Sequence, residues 1–350
     1  MVAEPLKTLF YPFEAEALPL SRKDARVLFL GAEPGFRLPD EFEAALHLVQ
    51  GFRPYFRALQ GSGWTVTPRL EGSGFDMALV LARRHRGQNE RRIADAIERV
   101  LPGGLVVVAG GKEDGIDSLR KRINALVPLE GYLPKHHGIA FWFRPAGAEP
   151  ASALRAANPD LVIEGRFHTA PGMFSFDRID AGSKLLAANL PGDLKGNVAD
   201  FCAGWGYLAA EVAARSPKLS GLDLYEADFE ALEAAKLIIA GDAVARPGDA
   251  VACLGDTVAS RFFWADLLTE TVERRYDGVV MNPPFHSGRA TEPEIGAGMI
   301  RAASKALKPG GRLFMVANRQ LPYEQVLSAA FASHAEIARD GMFKVFSARR

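Results

Sequence analysis

At 350 residues the chain is long enough for two ordinary domains with real cores, and 42 basic against 42 acidic side chains leave it without net charge. That balance counts against tight, non-specific nucleic-acid binding while leaving room for a local patch. Two cysteines without metal-ligand spacing, no apolar run of membrane length and no basic-then-apolar leader exclude a disulfide scaffold, a membrane span and a secretory signal, so a metal-free cytoplasmic protein is expected.

Residues 1–20, with Pro5, Pro12 and Pro19, read as an irregular or helical lead-in. Ala25 to Leu30 then reads as a strand running into the glycine turn Gly31-Ala32-Glu33-Pro34-Gly35. A helix over 41–59, strands at 64–67 and 75–81, and the basic run Arg83-Arg84-His85-Arg86 follow. A helix over 90–100 leads into Leu101-Pro102-Gly103-Gly104 and the apolar run 105–109. A helix over 112–126 and an aromatic strand over 139–143 complete the series. Strands alternating with helices predict a parallel sheet. The Ala- and Pro-rich stretch 149–160 breaks the pattern and is expected to be a linker between a first domain, 1–148, and a second, 161–350.

The second half repeats the order. Val198-Ala199-Asp200-Phe201 opens it as a strand, 219–225 is the next, 230–239 a helix, and Phe262-Phe263-Trp264 a short strand. Tyr276 to Met281 reads as a buried strand, 294–307 as a helix, and Lys308-Pro309-Gly310-Gly311 leads into a strand over 312–317. Phe75-Asp76 answers Tyr276-Asp277, and Leu101-Pro102-Gly103-Gly104 answers Lys308-Pro309-Gly310-Gly311, so an internal duplication of one α/β domain is expected. The copies part at the chemistry. Where the second half has Asn282-Pro283-Pro284-Phe285, the first has Ala82-Arg83-Arg84-His85, and its glycine turn carries an acid and a proline. The first half is therefore expected to bind no cofactor. Arg83, Arg84 and Arg86 could meet a phosphate backbone or form a plain solvated basic face.

Strand 276–281 stops at two prolines, at the carboxyl edge where open α/β sheets place ligands. The Asn282 amide oxygen and the Pro283 carbonyl can accept both hydrogens of a planar exocyclic amine. Pro283 and Pro284 stiffen the loop, and Phe285 offers a face for an aromatic base. Such a loop suits enzymes that methylate an amino group on a flat substrate. Asp200-Phe201-Cys202-Ala203-Gly204-Trp205-Gly206 is a glycine turn between strand and helix, where backbone can approach a ligand. Glu226 falls 20 residues beyond Gly206, the spacing at which an acid meets ribose hydroxyls; Asp223, inside the strand, is the competing acid. Asp266, just past the next strand, could accept from an adenine amine or merely close a turn. These features in this order describe an S-adenosylmethionine site better than a dinucleotide site.

On these residues the chain resembles the bacterial ribosomal RNA guanine-N2 methyltransferases, most closely the C type of the small ribosomal particle, with the G type of the large particle as close relatives. The resemblance extends through His286-Ser287-Gly288, Pro171-Gly172-Met173-Phe174-Ser175, Asp180-Ala181-Gly182-Ser183, the run Val316 to Tyr323, and the closing Gly341-Met342-Phe343-Lys344-Val345. It implies two tandem Rossmann-like class I methyltransferase domains, the first degenerate and serving substrate binding or folding. It also implies S-adenosylmethionine as cofactor, S-adenosylhomocysteine as product, and ribosomal RNA or the small ribosomal subunit as partner. Cofactor contacts fall on Phe174, Asp200, Cys202, Ala203, Gly204, Gly206, Glu226, Asp266 and Asn282. Catalysis falls on Asn282, Pro283, Pro284 and Phe285, with His286 beside the substrate as a possible proton relay. One departure stands out: Cys202 occupies the place of the family's first turn glycine. The competing expectations are an enzyme methylating an adenine amine or a protein glutamine amide, and a decayed RNA-binding protein that has lost its cofactor. A monomer is expected, since the duplication already makes a two-lobed body.

Overall fold

The computed structural model describes residues 4–239, 252–254, 258–284, 286–287, 290–291 and 293–350. It divides into two compact units, Met1–Asp160 with Ala170–Gly172, and Leu161–Thr169 with Met173–Arg350.

The first unit runs α1 (Glu4–Glu14), β1 (Arg26–Leu30), β2 (Ala45–Val49), α2 (Arg53–Gly61), β3 (Val66–Thr67), β4 (Phe75–Leu81) and α3 (Arg86–Arg99). It continues with β5 (Val100–Gly111), α4 (Ile116–Asn124), β6 (Gly131–Lys135), β7 (Gly138–Phe143) and α5 (Glu149–Ala156). Its sheet has the order β3-β2-β1-β4-β5-β7-β6, parallel from β3 to β5 and antiparallel at β7 and β6. Apolar clusters cover both faces, which is why its central strands are continuous hydrophobic runs.

Two expectations are corrected here. The stretch 41–59 is not one helix: Ala45–Val49 pairs in parallel with β1, and α2 begins only at Arg53, with Pro54 in its first turn. Pairing with the sheet overrides helix propensity, and proline marks where the helix can start. The stretch 149–160 is not a plain linker either. Glu149–Ala156 is helical with Pro150 in its first turn, and Ala151 and Leu154 are fully buried in the first unit's core. Ala and Pro content cannot separate a linker from a short helix opened by proline.

The second unit opens with β8 (Leu161–Ile163), β9 (Phe167–Thr169), α6 (Ala181–Ala188), β10 (Lys195–Phe201), α7 (Tyr207–Arg215), β11 (Lys218–Glu226) and α8 (Phe229–Ile239). Then follow β12 (Ala252–Leu254), β13 (Val258–Trp264), β14 (Tyr276–Met281), β15 (His286–Ser287), β16 (Ala290–Thr291) and α9 (Pro293–Ala306). It closes with β17 (Leu307–Asn318), α10 (Glu324–Ala330), β18 (Ser333–Arg339) and β19 (Phe343–Arg349). Its main sheet has the order β12-β13-β11-β10-β14-β17-β19-β18.

Without β12 this is the first unit's order, and the two units share small devices. The Asp76 carboxylate accepts the Arg26 backbone N–H at 2.8 Å, and Asp277 accepts that of Asn197 at 2.9 Å, at the same corner of each sheet. A register shift separates Phe75 from Met77 along β4, and Tyr276 from Gly278 along β14. Opposite each shift a Pro-Gly-Gly sits on the neighbouring strand, with Gly103 at φ 78° and Gly310 at φ 77°. Side chains at Gly104 or Gly311 would collide with backbone carbonyls at 2.8 and 3.0 Å. Matching bulges held by matching glycines are what the two units share, as the expected duplication requires.

Candidate active site

Strands β11, β10 and β14 lie side by side, so their carboxyl ends bring three loops together. The turn after β10 winds through three positive φ values: Cys202 at 60°, Gly204 at 53° and Gly206 at 90°. Gly206 opens α7 where a Cβ would press within 3.1 Å of the Ala235 Cβ. At Gly204 an added Cβ would meet nothing within 4 Å, so this part of the turn is open. Cys202 adopts the left-handed conformation without a glycine's freedom. The turn keeps its path, and Cys202 carries the strain.

Behind the turn Asp200 is fully buried, and among the described residues neither carboxylate oxygen has a partner in good hydrogen-bond geometry, the Ala209 backbone N–H being only a loose neighbour. Burial pushes its carboxyl well above the usual carboxylate range; the Ala209 backbone N–H on α7 opposes this, and the Glu226 charge adds to it. Glu226 closes β11 and braces the turn. Its Oε2 accepts the Gly204 N–H at 2.7 Å, and its Oε1 accepts the N–H groups of Ala227 at 2.7 Å and Asp228 at 2.8 Å. Burial raises its carboxyl as well, against the pull of those three donors. Oε2 still has acceptor capacity for one more donor. Asp223, the competing acid, is engaged elsewhere. It is fully buried, paired with Arg261 at 2.8 and 3.0 Å, and accepts the Tyr276 hydroxyl at 2.6 Å.

Asn282 follows β14. Its side-chain NH2 donates to Asp180 Oδ2 at 3.0 Å and to Ser183 Oγ at 2.8 Å. Pro283 is buried and Pro284 exposed; Phe285 lies outside the described residues, and of His286 only the backbone, in β15, is described. Phe174, 63% exposed, stands beside the turn because its carbonyl accepts the Trp205 indole N–H at 2.8 Å. Trp205 in turn packs against Phe167 and Tyr207. Phe174, Asp180, Ser183, Cys202, Gly204 and Asn282 line one small pocket that is open to solvent.

The structure thus gathers Phe174, Cys202, Ala203, Gly204 and Asn282 around one opening, with Asp200, Gly206 and Glu226 supporting it. Asp266 sits apart from the pocket lining. Its carboxylate caps its own turn, accepting from the Leu268 N–H at 3.0 Å and the Thr269 hydroxyl at 2.6 Å. In the first unit Arg83 is not a free phosphate contact. It is bound to Glu33 of the old glycine turn and lies 3.7 Å from Asp114, while Arg84 lies 3.8 Å from the same acid. Arg86 is the most exposed of the three. Sequence reasoning missed Asp180, Ser183 and Trp205 as parts of the site. Asp180 three residues before Ser183 is a readable helix-start signal, but nothing local says that the cap reaches Asn282.

Among the described residues no group of three or more His, Cys, Asp or Glu forms a metal site, and no helix is long and apolar enough to cross a membrane.

The family described as methyltransferase small domain matches residues 164–347. Ribosomal RNA small subunit methyltransferase C of Klebsiella pneumoniae is 40% identical over 336 residues, covering 93% of this chain and 92% of that protein. The protein of the same name from Salmonella newport is 28% identical over 339 residues, with 93% and 92% covered. Among solved structures, the T. thermophilus 16S rRNA N2 methyltransferase RsmC, in complex with AdoMet and guanosine, matches with a TM-score of 0.77 at 23% identity. The match covers 99% of this chain and 92% of that one.

Two sheets of one topology, with an open glycine turn and a strand-end asparagine in the second, have the fold of a methyltransferase, and the family model places the second among the methyltransferases. Within that class, the chain belongs to the ribosomal RNA small subunit methyltransferase C family.

Proposed function

We propose that this protein transfers the methyl group of S-adenosylmethionine to the exocyclic N2 amine of a guanine in small-subunit ribosomal RNA. One observation carries the chemistry: the NH2 of Asn282 is taken up by Asp180 and Ser183, so the amide oxygen is left as an acceptor on the pocket-lining side chain. The base and the RNA follow from the relatives' names.

The chain's residues fit the cofactor. The open space at Gly204, the braced turn and the spare acceptor on Glu226 suit an adenosine and its ribose. Cys202, Ala203 and Gly206 shape the turn, Asp200 backs it, Phe174 covers its mouth, and Asp266 is the proposed adenine contact, which requires its turn to open. When bound, S-adenosylmethionine supplies a methyl group already activated on sulfur. The protein's own task is positioning. The Asn282 oxygen and the Pro283 carbonyl accept the two amine hydrogens and aim the nitrogen lone pair. Phe285 stacks the base, which must leave any helix to reach the pocket. His286 borders the substrate. The first unit binds no cofactor and supports RNA binding, Arg86 being its best-placed cation of the run, with Arg83 and Arg84 behind it. The protein acts as a cytoplasmic monomer on the ribosomal RNA or the small ribosomal particle.

The test is Asn282→Ala, assayed by mass spectrometry of modified nucleosides on small ribosomal particles lacking the modification. Turnover should fall about 100-fold or more while cofactor affinity stays within about threefold, since Asn282 is one of several cofactor contacts but carries the acceptor that orients the amine. A wild-type product other than N2-methylguanosine sinks the reading.

A further inference from the structure

We infer that Asp180 and Ser183 are positioning residues for Asn282, and that the capped first turn of α6 sets which end of the Asn282 amide serves the substrate. The inference rests on the reading of the pocket given above. An amide side chain has nearly the same shape either way round, so the proline-stiffened loop alone does not choose between presenting an acceptor and presenting a donor. A substrate amine needs the acceptor.

The choice is made from α6. The Asn282 NH2 donates to Asp180 Oδ2 and Ser183 Oγ, at 3.0 and 2.8 Å. A carboxylate only accepts, so a reversed amide would set oxygen against oxygen; the Ser183 hydroxyl suits either orientation. Asp180 therefore decides, and Ser183 takes up the second hydrogen. Asp180 is itself fixed, because the same Oδ2 caps α6 by accepting the Ser183 backbone N–H at 2.8 Å. The turn is fixed by packing. A Cβ at Gly182 would lie 3.1 Å from both the Phe343 ring and Asp180 Oδ2, so the closing segment presses directly on the cap. Among the described residues no group donates to Asn282 Oδ1. Cap, glycine and closing aromatic thus form a support whose output is one oriented oxygen.

Three variants separate holding from capping. Serine caps a helix as well as aspartate but is one atom shorter, whereas asparagine can keep an oxygen in the Oδ2 place. In single-turnover methyl transfer, Asp180→Ser should slow the reaction about 30-fold and Ser183→Ala about 3- to 10-fold, while Asp180→Asn stays within about threefold of wild type. Cofactor affinity should remain within about threefold in all three. In an Asn282→Ala background the loss from Asp180→Ser should vanish, because a positioning residue acts only through the group it positions. A wild-type rate for Asp180→Ser, or an undiminished loss in that background, overturns the proposal.

A second readout does not depend on turnover. In protein carrying isotopically labelled asparagine, the side-chain NH2 signal that disappears in Asn282→Ala should be protected from solvent exchange. That protection should be lost in Asp180→Ser and kept in Asp180→Asn. Protection in a wild-type protein that transfers no methyl group would fail the functional reading and uphold the positioning. Free exchange of that NH2 in a protein that does methylate its RNA would overturn the positioning alone.

Discussion

Cys202 concentrates the energetic tension of the site in one residue. An L-residue at φ 60° costs about 1–2 kcal/mol, while glycine's extra freedom in the unfolded chain costs about 0.5–1 kcal/mol. The first term wins. Cys202→Gly should therefore stabilise the protein by about 0.5–1 kcal/mol in urea unfolding, and a destabilised variant would show that the thiol packs better than its backbone suggests. Burial, Glu226 and Asp200 all push the Cys202 thiol well up, so strain here does not make a reactive nucleophile. Asp200 gives the pH dependence. Its folded-state carboxyl titrates well above the unfolded value of about 4, so the folded protein holds the proton longer. The stability this contributes is fully present below the unfolded pKa and is lost as pH rises through the raised folded one. Relative to Asp200→Asn, wild type should therefore lose urea stability as pH is raised from about 4 toward neutrality. Equal pH slopes for the two proteins would exonerate Asp200.

At the scale of elements, α5 shows how composition misleads. Its Ala, Pro and Glu residues have the look of a spacer, yet Leu154 is completely buried and Asn158, just beyond, donates to the buried Glu90 at 2.6 Å. Leu154→Ala should cost about 2–5 kcal/mol, the usual range for emptying a packed leucine site, whereas a true linker would lose almost nothing. Thermal unfolding of the variant decides between them. The helix α6 makes the complementary point. It is only eight residues long, but its cap reaches Asn282, 102 positions away in the chain.

Over the whole molecule, the two units have sheets of one order, apart from β12, with different features at the same edge. In the second unit the turn after the first central strand is open at Gly204. In the first, a Cβ on Gly31 would meet the Arg92 guanidinium at 2.6 Å, and Glu33 is bound by Arg83, so arginines fill the corresponding place. Calorimetric titration should therefore find one S-adenosylmethionine site per chain. Glu226→Ala should abolish or strongly weaken it, and Glu33→Ala should leave it unchanged. Two sites would contradict the filling of the first turn.

Much of this was legible in the sequence, for local reasons. Buried parallel strands are apolar runs that end in glycine or proline, so β10, β14 and the repeated Pro-Gly-Gly could be found by reading alone, whereas the bulges they hold could not. The asparagine loop, the glycine turn and Glu226 were visible because each sits at the end of such a run. Other features depended on contacts distant in sequence. Ala45–Val49 became a strand because β1 was there to pair with, and Asp223 is taken up by Arg261 and Tyr276. The orientation of Asn282 came from a helix cap in another part of the chain. Periodicity and turn chemistry are written residue by residue. Which polar group satisfies which, and which site is filled by a neighbour, is decided only when the packed fold brings distant segments within hydrogen-bonding reach.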